Sequence, residues 1–560
     1  MTKFIQIYCK NIGRYIDVEG GDSLLDLYGR LAGELSLRPV CALVNNKTEA
    51  LSFPIFAPKE VEFLDRTTPH GRNVYTRSLC MMLYKAALEA APGLVLQFEH
   101  SISKGNYCRL LDEAGNPVKA DEALVDKIRT RLREITAADI PFVRSEKLTR
   151  DVIEIFEKQR LFDKVKLLRT LNDLYTVYYT LDGTADSYNG PLAPSTGLID
   201  VYDLIPYHEG MLLLGPDEKN ADVAATPAPQ DKMFKAFTDH LRFNRVIRVS
   251  NVYQLNREVE RGDTASLINV AEAMHDKMLG RISDDILRRK ERGEANIVLM
   301  AGPSSSGKTT TSKRLAIQLM TNLIVPKLIS LDDYFVDREA TPRDADGEYD
   351  YESLYALDLE RFNSDLCRLL RGEEINLPTY SFELGRRVEK HRPLRLDEHD
   401  VLLIEGIHGL NPELTAEIDP RNLYKVYVSA LTTLHIDNHN WISTSDSRLL
   451  RRIVRDHKYR HTPPVDTIRR WPSVRRGEEK WIFPFQENAD AMFNSSLIFE
   501  IGVMKEYAEP LLHSVPHDVP EYAVAHRLAR FLSYFRPITS CQVPATSLLR
   551  EFLGGSSFRY

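Results

Sequence analysis

The chain has 560 residues, 43% apolar and 27% charged, with 73 basic against 80 acidic side chains and a net charge of −7. That composition is ordinary for folded domains, which excludes a disordered chain or a fibrous repeat, and the acidic balance excludes a protein that coats nucleic acid along its whole length. At about 150 residues per domain the length calls for three or four domains.

The six cysteines, Cys9, Cys41, Cys80, Cys108, Cys367 and Cys541, are widely spaced with no CxxC pair. Neither a disulfide framework nor a cysteine zinc site is expected, and reduced thiols in a cytoplasmic protein are the default reading. The N-terminus has no apolar stretch followed by a small-residue cleavage site, and no apolar run approaches the ~20 residues of a membrane helix. A soluble protein with no membrane partner is the expectation.

In chain order, FIQIYCK, YIDVEG and CALVNN alternate like short strands around a helix over 23–36, with Leu24, Leu25, Leu27, Leu31 and Leu35 at helical spacing. Residues 1–66 thus form a small α+β unit. From 67 to 215 the pattern is mixed: a buried helix at 78–91, an amphipathic helix at 121–135, and strands at 94–100 and 175–181. Residues 216–230, polar and rich in Pro and Ala, read as an exposed linker, and 231–292 as a helical connector. After Gly293, apolar runs at 295–301, 327–331, 401–404, 424–429 and 496–501 alternate with helical stretches. That pattern predicts a parallel, doubly wound α/β sheet over 293–505. The remainder, 506–560, is a C-terminal tail, helical around 521–535 and ending in the loop-like GGSSFRY.

The strongest motif is Gly302-Pro303-Ser304-Ser305-Ser306-Gly307-Lys308-Thr309, a full match to G-x-x-x-x-G-K-[ST], followed by Thr310 and lying between a predicted strand and helix. Small residues let successive N–H groups point at phosphates from the positive end of the helix. Lys308 would neutralise the β- and γ-phosphates of a bound nucleoside triphosphate, and the Thr309 hydroxyl would ligate Mg²⁺. Two further strands end in carboxylates, Asp332 and Asp333 in one and Glu405 in the other, at the edge where a doubly wound sheet binds ligands. One Asp could accept a proton from an attacking hydroxyl, and Glu405 could hold the metal. Downstream, Arg448, Arg452 and Arg455 share one helix face, joined by Arg451. Like charges stacked this way cost stability unless an anion meets them, so a lid closing on phosphates is expected.

Together these residues resemble the uridine kinase and phosphoribulokinase family of phosphate-loop kinases. GPSSSGKTT, SLDDYF, YDYES, LPTYSF, LLIEGI, RLLRRIVRD and FPFQENAD follow that family's order and spacing over 293–505. The resemblance implies an ATP- and Mg²⁺-dependent kinase acting on a nucleoside-like acceptor, with Lys308 and Asp332 catalytic and Thr309, Glu405 and Asp332 at the metal. It also implies Asp350, Tyr380 and Arg387 at the acceptor, and Arg448, Arg451, Arg452 and Arg455 in the lid. The sequence departs from the family at Gly385, where a base-reading His is expected, at Arg460-His461-Thr462 in place of Arg-Gly-Arg, and at Gln486 and Glu487 in place of lysines. A sugar phosphate or another small alcohol therefore stays open as the acceptor.

Residues 1–66 also resemble the ubiquitin-like (TGS-like) domain of threonyl-tRNA synthetases, and 67–215 the adjoining editing domain, chiefly at His70 and DGTADSYNGPLAPSTG. Of the four metal ligands that resemblance implies, only His70 is present, and Val74, Tyr188 and Leu192 replace the others. A site needing several His and Cys ligands cannot be built from one, so this domain reads as an accessory, and RNA or tRNA as a partner of a nucleotide-responsive regulator is the alternative function.

Overall fold

A strand that is apolar on both faces must be sandwiched between helices and paired on both edges, and the second half of the chain folds accordingly. The computed structural model describes residues 4–344, 347–388 and 390–560. In it, strands β1 (Ile297–Ala301), β2 (Val325–Ser330), β3 (Asp400–Glu405), β4 (Leu423–Ser429) and β5 (Ala491–Asn494) form one sheet in the order β2-β3-β1-β4-β5. Every neighbouring pair is parallel. All five residues of β1 are buried, and helix α1 (Lys308–Thr321) leaves its carboxyl end. Two helices follow the sheet's fourth strand, α2 (Thr444–Arg460) and α3 (Pro464–Trp481).

The last strand departs from expectation. It occupies 491–494, whereas 496–501 turns and enters helix α4 (Glu500–His513). Glu500 accepts a hydrogen bond from the Leu497 N–H at 3.2 Å and closes that turn. Leu497, Phe499 and Ile501 are buried in a helical layer instead of a sheet, a distinction that a short apolar run does not carry. Helix α4 also runs across the 505/506 division drawn from the sequence.

Residues 4–64 form a five-stranded mixed sheet packed on the helix Leu24–Leu31, which Ser23 and Asp26 close with a capping box. The next unit packs the buried helix Pro69–Ala90 and the amphipathic helix Glu122–Ala137 against antiparallel strands. Val74 and Leu192 lie in its apolar core, and Tyr188 sits under Lys164. Among the described residues no group of three or more His, Cys, Asp or Glu is placed to hold a metal ion, and no helix is long and apolar enough to cross a membrane. All six cysteines are free thiols.

The expected linker is pinned rather than loose. Asp222 pairs with Arg66 at 2.7 Å, Glu218 with Arg72 at 3.2 Å, and Gln230 accepts from the Ser103 N–H at 2.8 Å. Its acidic residues answer basic residues more than a hundred positions upstream, which composition alone does not show. The connector consists of helices Asp231–Val246, Val252–Arg261 and Thr264–Lys290. Leu255, Ile268, Leu279 and Ile286 from it join Val298, Met300 and Leu315 in one core.

Several features join the halves, among them an apolar cluster and a buried polar cluster. The hairpin His435–Trp441, which follows β4, inserts into the 67–215 unit. There the buried Lys164 ammonium lies 2.9 Å from both Asp186 and Asp437, and His439 Nδ1 lies 2.7 Å from Asp186. Burial opposes the Lys164 charge, but Asp186, Asp437 and Asp163 outweigh it and hold the ammonium protonated. Removing one partner of such a cluster leaves the others charged and unpaired. Lys164→Ala is therefore expected to destabilise the chain by about 3–5 kcal/mol, measured as a lower midpoint in chemical denaturation.

Candidate active site

The site is built at the carboxyl end of β1. The chain turns there through a loop with two left-handed residues, Ser305 (φ 58°) and Gly307 (φ 83°). At Gly302 a Cβ would lie 1.9 Å from the Val428 carbonyl, so only glycine lets the loop leave β1 against β4. The loop keeps polar groups in reserve: the hydroxyl oxygens of Ser305 and Ser306 are buried with no hydrogen-bond partner. Orphaned donors beside the first turn of a helix fit an anionic ligand such as a nucleotide's phosphates. Lys308 donates to the carbonyls of Gly302 at 2.9 Å and Pro303 at 3.2 Å, curling back along the loop. Burial lowers its pKa, and Glu405 and Asp332 hold it up.

Thr309 donates to Glu405 at the end of β3 over 3.1 Å. Burial raises the Glu405 carboxyl to about 7 against the pull of Lys308. Asp332 follows β2 in a short turn (Leu331–Tyr334), and its charge acts on both Lys308 and Glu405. A hydroxyl and one or two carboxylates, all oxygen, fit Mg²⁺, a hard cation that takes its other ligands from water and substrate phosphates. Asp332 and Asp333 separate in role here. Asp333 is tied to Arg392 at 2.9 Å, while the Asp332 carboxylate accepts no hydrogen bond among the described residues.

The four arginines do not form one face awaiting an anion. Arg448 and Arg451 are 1% and 0% exposed. Arg448 pairs with Glu478 of α3, two nitrogens on two oxygens, and donates to the Ser304 carbonyl at 3.0 Å. Arg451 pairs in the same forked way with Glu500 of α4 and donates to the carbonyls of Ser495 at 2.9 Å and Ser305 at 3.3 Å. Glu478 in turn accepts from the Ser304 N–H at 3.0 Å. The two guanidiniums thus hold the phosphate loop from beneath. The balancing carboxylates lie 30 and 49 residues away, beyond the reach of helix-spacing arithmetic. Arg452 donates to the Ser304 hydroxyl at 2.7 Å, and Arg455 pairs with Asp456 at 2.8 Å. Both remain partly exposed, unlike Arg448 and Arg451.

The expected acceptor residues form a separate wall. Tyr380 is 8% exposed, its ring 5.6 Å from that of Phe335 and 5.1 Å from that of Phe382. Asp350 accepts from the Glu352 N–H at 3.2 Å. Arg387 is committed to Asp358 at 2.8 Å and to the Phe335 carbonyl at 3.2 Å, so it braces the wall rather than presenting free donors. Among the described residues no hydrogen bond links these three to Lys308 or Asp332. The space opened by Gly385 is taken by Arg338, whose Cζ lies 2.7 Å from where a Cβ would stand.

Three residues at the site were not singled out by the sequence. His408 is buried near Lys308 and held neutral by burial, with its pKa at about 4. Glu551 reaches the site from the C-terminal tail, 241 residues from its partner Thr310. Glu352 is wedged against Gly477 of α3, where a Cβ would meet it at 2.4 Å, and its Oε2 is buried with no partner. Burial, with Glu478 close by, raises its carboxyl to about 7, against Arg452 and Lys308. Its place two positions beyond Asp350 resembles any solvated acid.

Residues 297–498 match the model of the Phosphoribulokinase / Uridine kinase family. A uridine kinase of Lactobacillus helveticus is 30% identical over 166 residues, 29% of this chain and 69% of its own length. One of Staphylococcus epidermidis is 28% identical over 199 residues, 35% of this chain and 86% of its own. The N-terminal region is similar to a threonine–tRNA ligase of Rubrobacter xylanophilus, 26% identical over 236 residues, or 41% of this chain. The match spans 35% of that ligase's length, about a third.

Glu352 gives the site a pH signature. The unfolded chain releases this proton near 4.5 and the fold retains it to about 7, so its contribution to stability is full below 4.5 and is lost as pH rises through 7. Glu352→Gln abolishes that loss. The variant is expected to be more stable than the parent by about 1–3 kcal/mol above pH 7, with the difference vanishing toward pH 4.5, as followed by thermal unfolding across pH.

Proposed function

The chain belongs to the phosphoribulokinase/uridine kinase family, and from that premise we propose that it transfers the γ-phosphoryl group of ATP to a hydroxyl, the 5′-OH of a nucleoside such as uridine or cytidine. The observation that carries this reading is the convergence of Lys308, the Thr309–Glu405 pair and an unpaired Asp332 at one sheet edge. The loop 302–310 would cradle the phosphates, with the Ser305 and Ser306 hydroxyls and the first amides of α1 as donors. Lys308, released from its loop carbonyls, would follow the charge on the transferring group. Asp332 would orient the acceptor hydroxyl and take its proton, the task for which a carboxylate with no structural partner is free. Thr309 and Glu405, with Asp332 beside them, would hold Mg²⁺, which would neutralise phosphate charge when bound. Arg452 and Arg455 would close over the phosphates, while Arg448 and Arg451 keep the loop in shape. Such a reaction rests mostly on positioning and electrostatics. The aromatic wall of Phe335, Tyr380 and Phe382 with Asp350 suits a flat base and a ribose.

A second reading is favoured by the ligase-like N-terminal region and by the hairpin that locks it to the kinase half. In that reading nucleotide binding is a switch that responds to RNA or tRNA. ADP release from Mg-ATP, measured with a panel of nucleosides and sugar phosphates and then with tRNA, separates the two. Turnover with a nucleoside supports the kinase, and stimulation by tRNA alone overturns it.

Lys308→Ala is expected to abolish turnover. Asp332→Asn is expected to lower kcat by a factor of about 10²–10⁴ while leaving ATP affinity nearly unchanged. Single-turnover kinetics with calorimetric ATP binding checks both, and a near-normal kcat in Asp332→Asn removes it from the base role.

A further inference from the structure

The last residues of the chain lie on the phosphate loop. Leu548 packs over Gly307, with its Cδ2 2.7 Å from where a Cβ would stand. Helix α5 (Tyr522–Leu532) precedes this segment, and one further helical turn, α6 (Arg550–Leu553), crosses the mouth of the loop. From that turn the Glu551 carboxylate accepts two hydrogen bonds from one residue of α1, the Thr310 N–H at 3.2 Å and the Thr310 hydroxyl at 2.6 Å. The Tyr560 hydroxyl reaches the same Thr310 oxygen at 2.8 Å. The Tyr560 ring lies 4.4 Å from the Lys313 ammonium, which also donates to the Arg559 carbonyl.

This segment is docked, not draped. Leu548, Leu549, Phe552 and Leu553 are buried in the core they share with the sheet. Arg550 donates to the carbonyls of Ser540 at 2.7 Å and Val543 at 2.6 Å, and Lys458 of α2 donates to the Leu553 carbonyl. The Phe552 ring sits 5.1 Å from the Arg451 guanidinium, the same group that holds the loop from beneath. Beyond Leu553 the chain turns through Gly554 (φ 86°) and Gly555 (φ 73°), a conformation that favours glycine.

The Thr310 N–H is one of the first-turn donors that no helical carbonyl can satisfy, and the loop motif offers such donors to the α- and β-phosphates. A carboxylate there meets the same amide and the same positive helix end as a phosphate oxygen would. Two anions cannot share one amide, and bringing them together costs repulsion in a cleft that already holds Glu405 and Asp332.

We infer that the C-terminal segment is an intramolecular competitor for the nucleotide, with the Glu551 carboxylate occupying the place of a nucleotide phosphate on Thr310. A rotation of one side chain clears the amide. The docked helix keeps the carboxylate at high local concentration and sets how much nucleotide is needed to displace it. The inference rests on the reading of 302–310 as the nucleotide site, and the test is chosen to separate the two.

The experiment is calorimetric binding of Mg-ADP to the full chain and to Glu551→Gln and Glu551→Ala. Gln keeps the shape without the charge, and Ala removes both. Each is expected to bind about tenfold more tightly than the parent, the scale of one charge-assisted hydrogen bond. If the parent binds Mg-ADP and both variants bind equally or more weakly, the inference falls and the site reading stands. If the parent and both variants fail to bind, the site reading falls and takes the inference with it. A parent that binds poorly beside variants that bind well supports the competitor.

Discussion

The glycine-rich loop after β1 lies outside helix and sheet pairing, so its shape must be held by contacts from other elements. In this chain the shape comes from two buried ion pairs below the loop. Arg448 and Arg451 grip the carbonyls of Ser304, Ser305 and Ser495 and are neutralised by Glu478 and Glu500. A buried guanidinium is tolerable only when its charge and its donors are both met, and the forked geometry of each pair meets both. Helices α2, α3 and α4 are thereby fixed relative to β1. The carboxylates of Glu405 and Asp332 lie close enough to Lys308 to act on its charge.

The same economy of buried charge joins the two halves of the chain. Lys164, Asp186, Asp437 and His439 form one polar cluster inside an apolar interface, and two of its members belong to a hairpin that leaves the kinase sheet after β4. Phe98 stacks on Trp441 beside it, with ring centroids 5.7 Å apart. The connector helices and the C-terminal segment share the core of the sheet. The connector and the tail thus share one core with the sheet, and the N-terminal half is tied to it through the buried polar cluster.

Legibility in the sequence followed the range of each interaction. The local geometry of the loop 302–309 was legible, because G-x-x-x-x-G-K-[ST] puts glycine at a left-handed and a close-approach position. Strands β1, β3 and β4 were legible as apolar runs buried on both faces, and β2, at the sheet edge with Val325 and Leu328 exposed, as a shorter apolar run. The fifth was placed some five residues late, because Leu497, Ile498 and Phe499 are as apolar as a strand but are turned into α4 by Glu500. The arginine cluster was seen and its role only half read, since the neutralising carboxylates lie on other helices. Glu352, His408 and Glu551 were not legible at all: each becomes notable only through burial or through a partner far along the chain.

What the sequence determined by itself is the chemistry available: a glycine-rich loop with its lysine and hydroxyl, carboxylates at strand ends, and an N-terminal half similar to a threonine–tRNA ligase. Only the tertiary structure decided which charges are free to act. Helical spacing reports neighbours three or four residues apart, whereas Arg448, Arg451, Asp333 and Arg387 find their partners across 30, 49, 59 and 29 residues. A side chain's function depends on whether its charge is already spent, and that is settled by packing at long range.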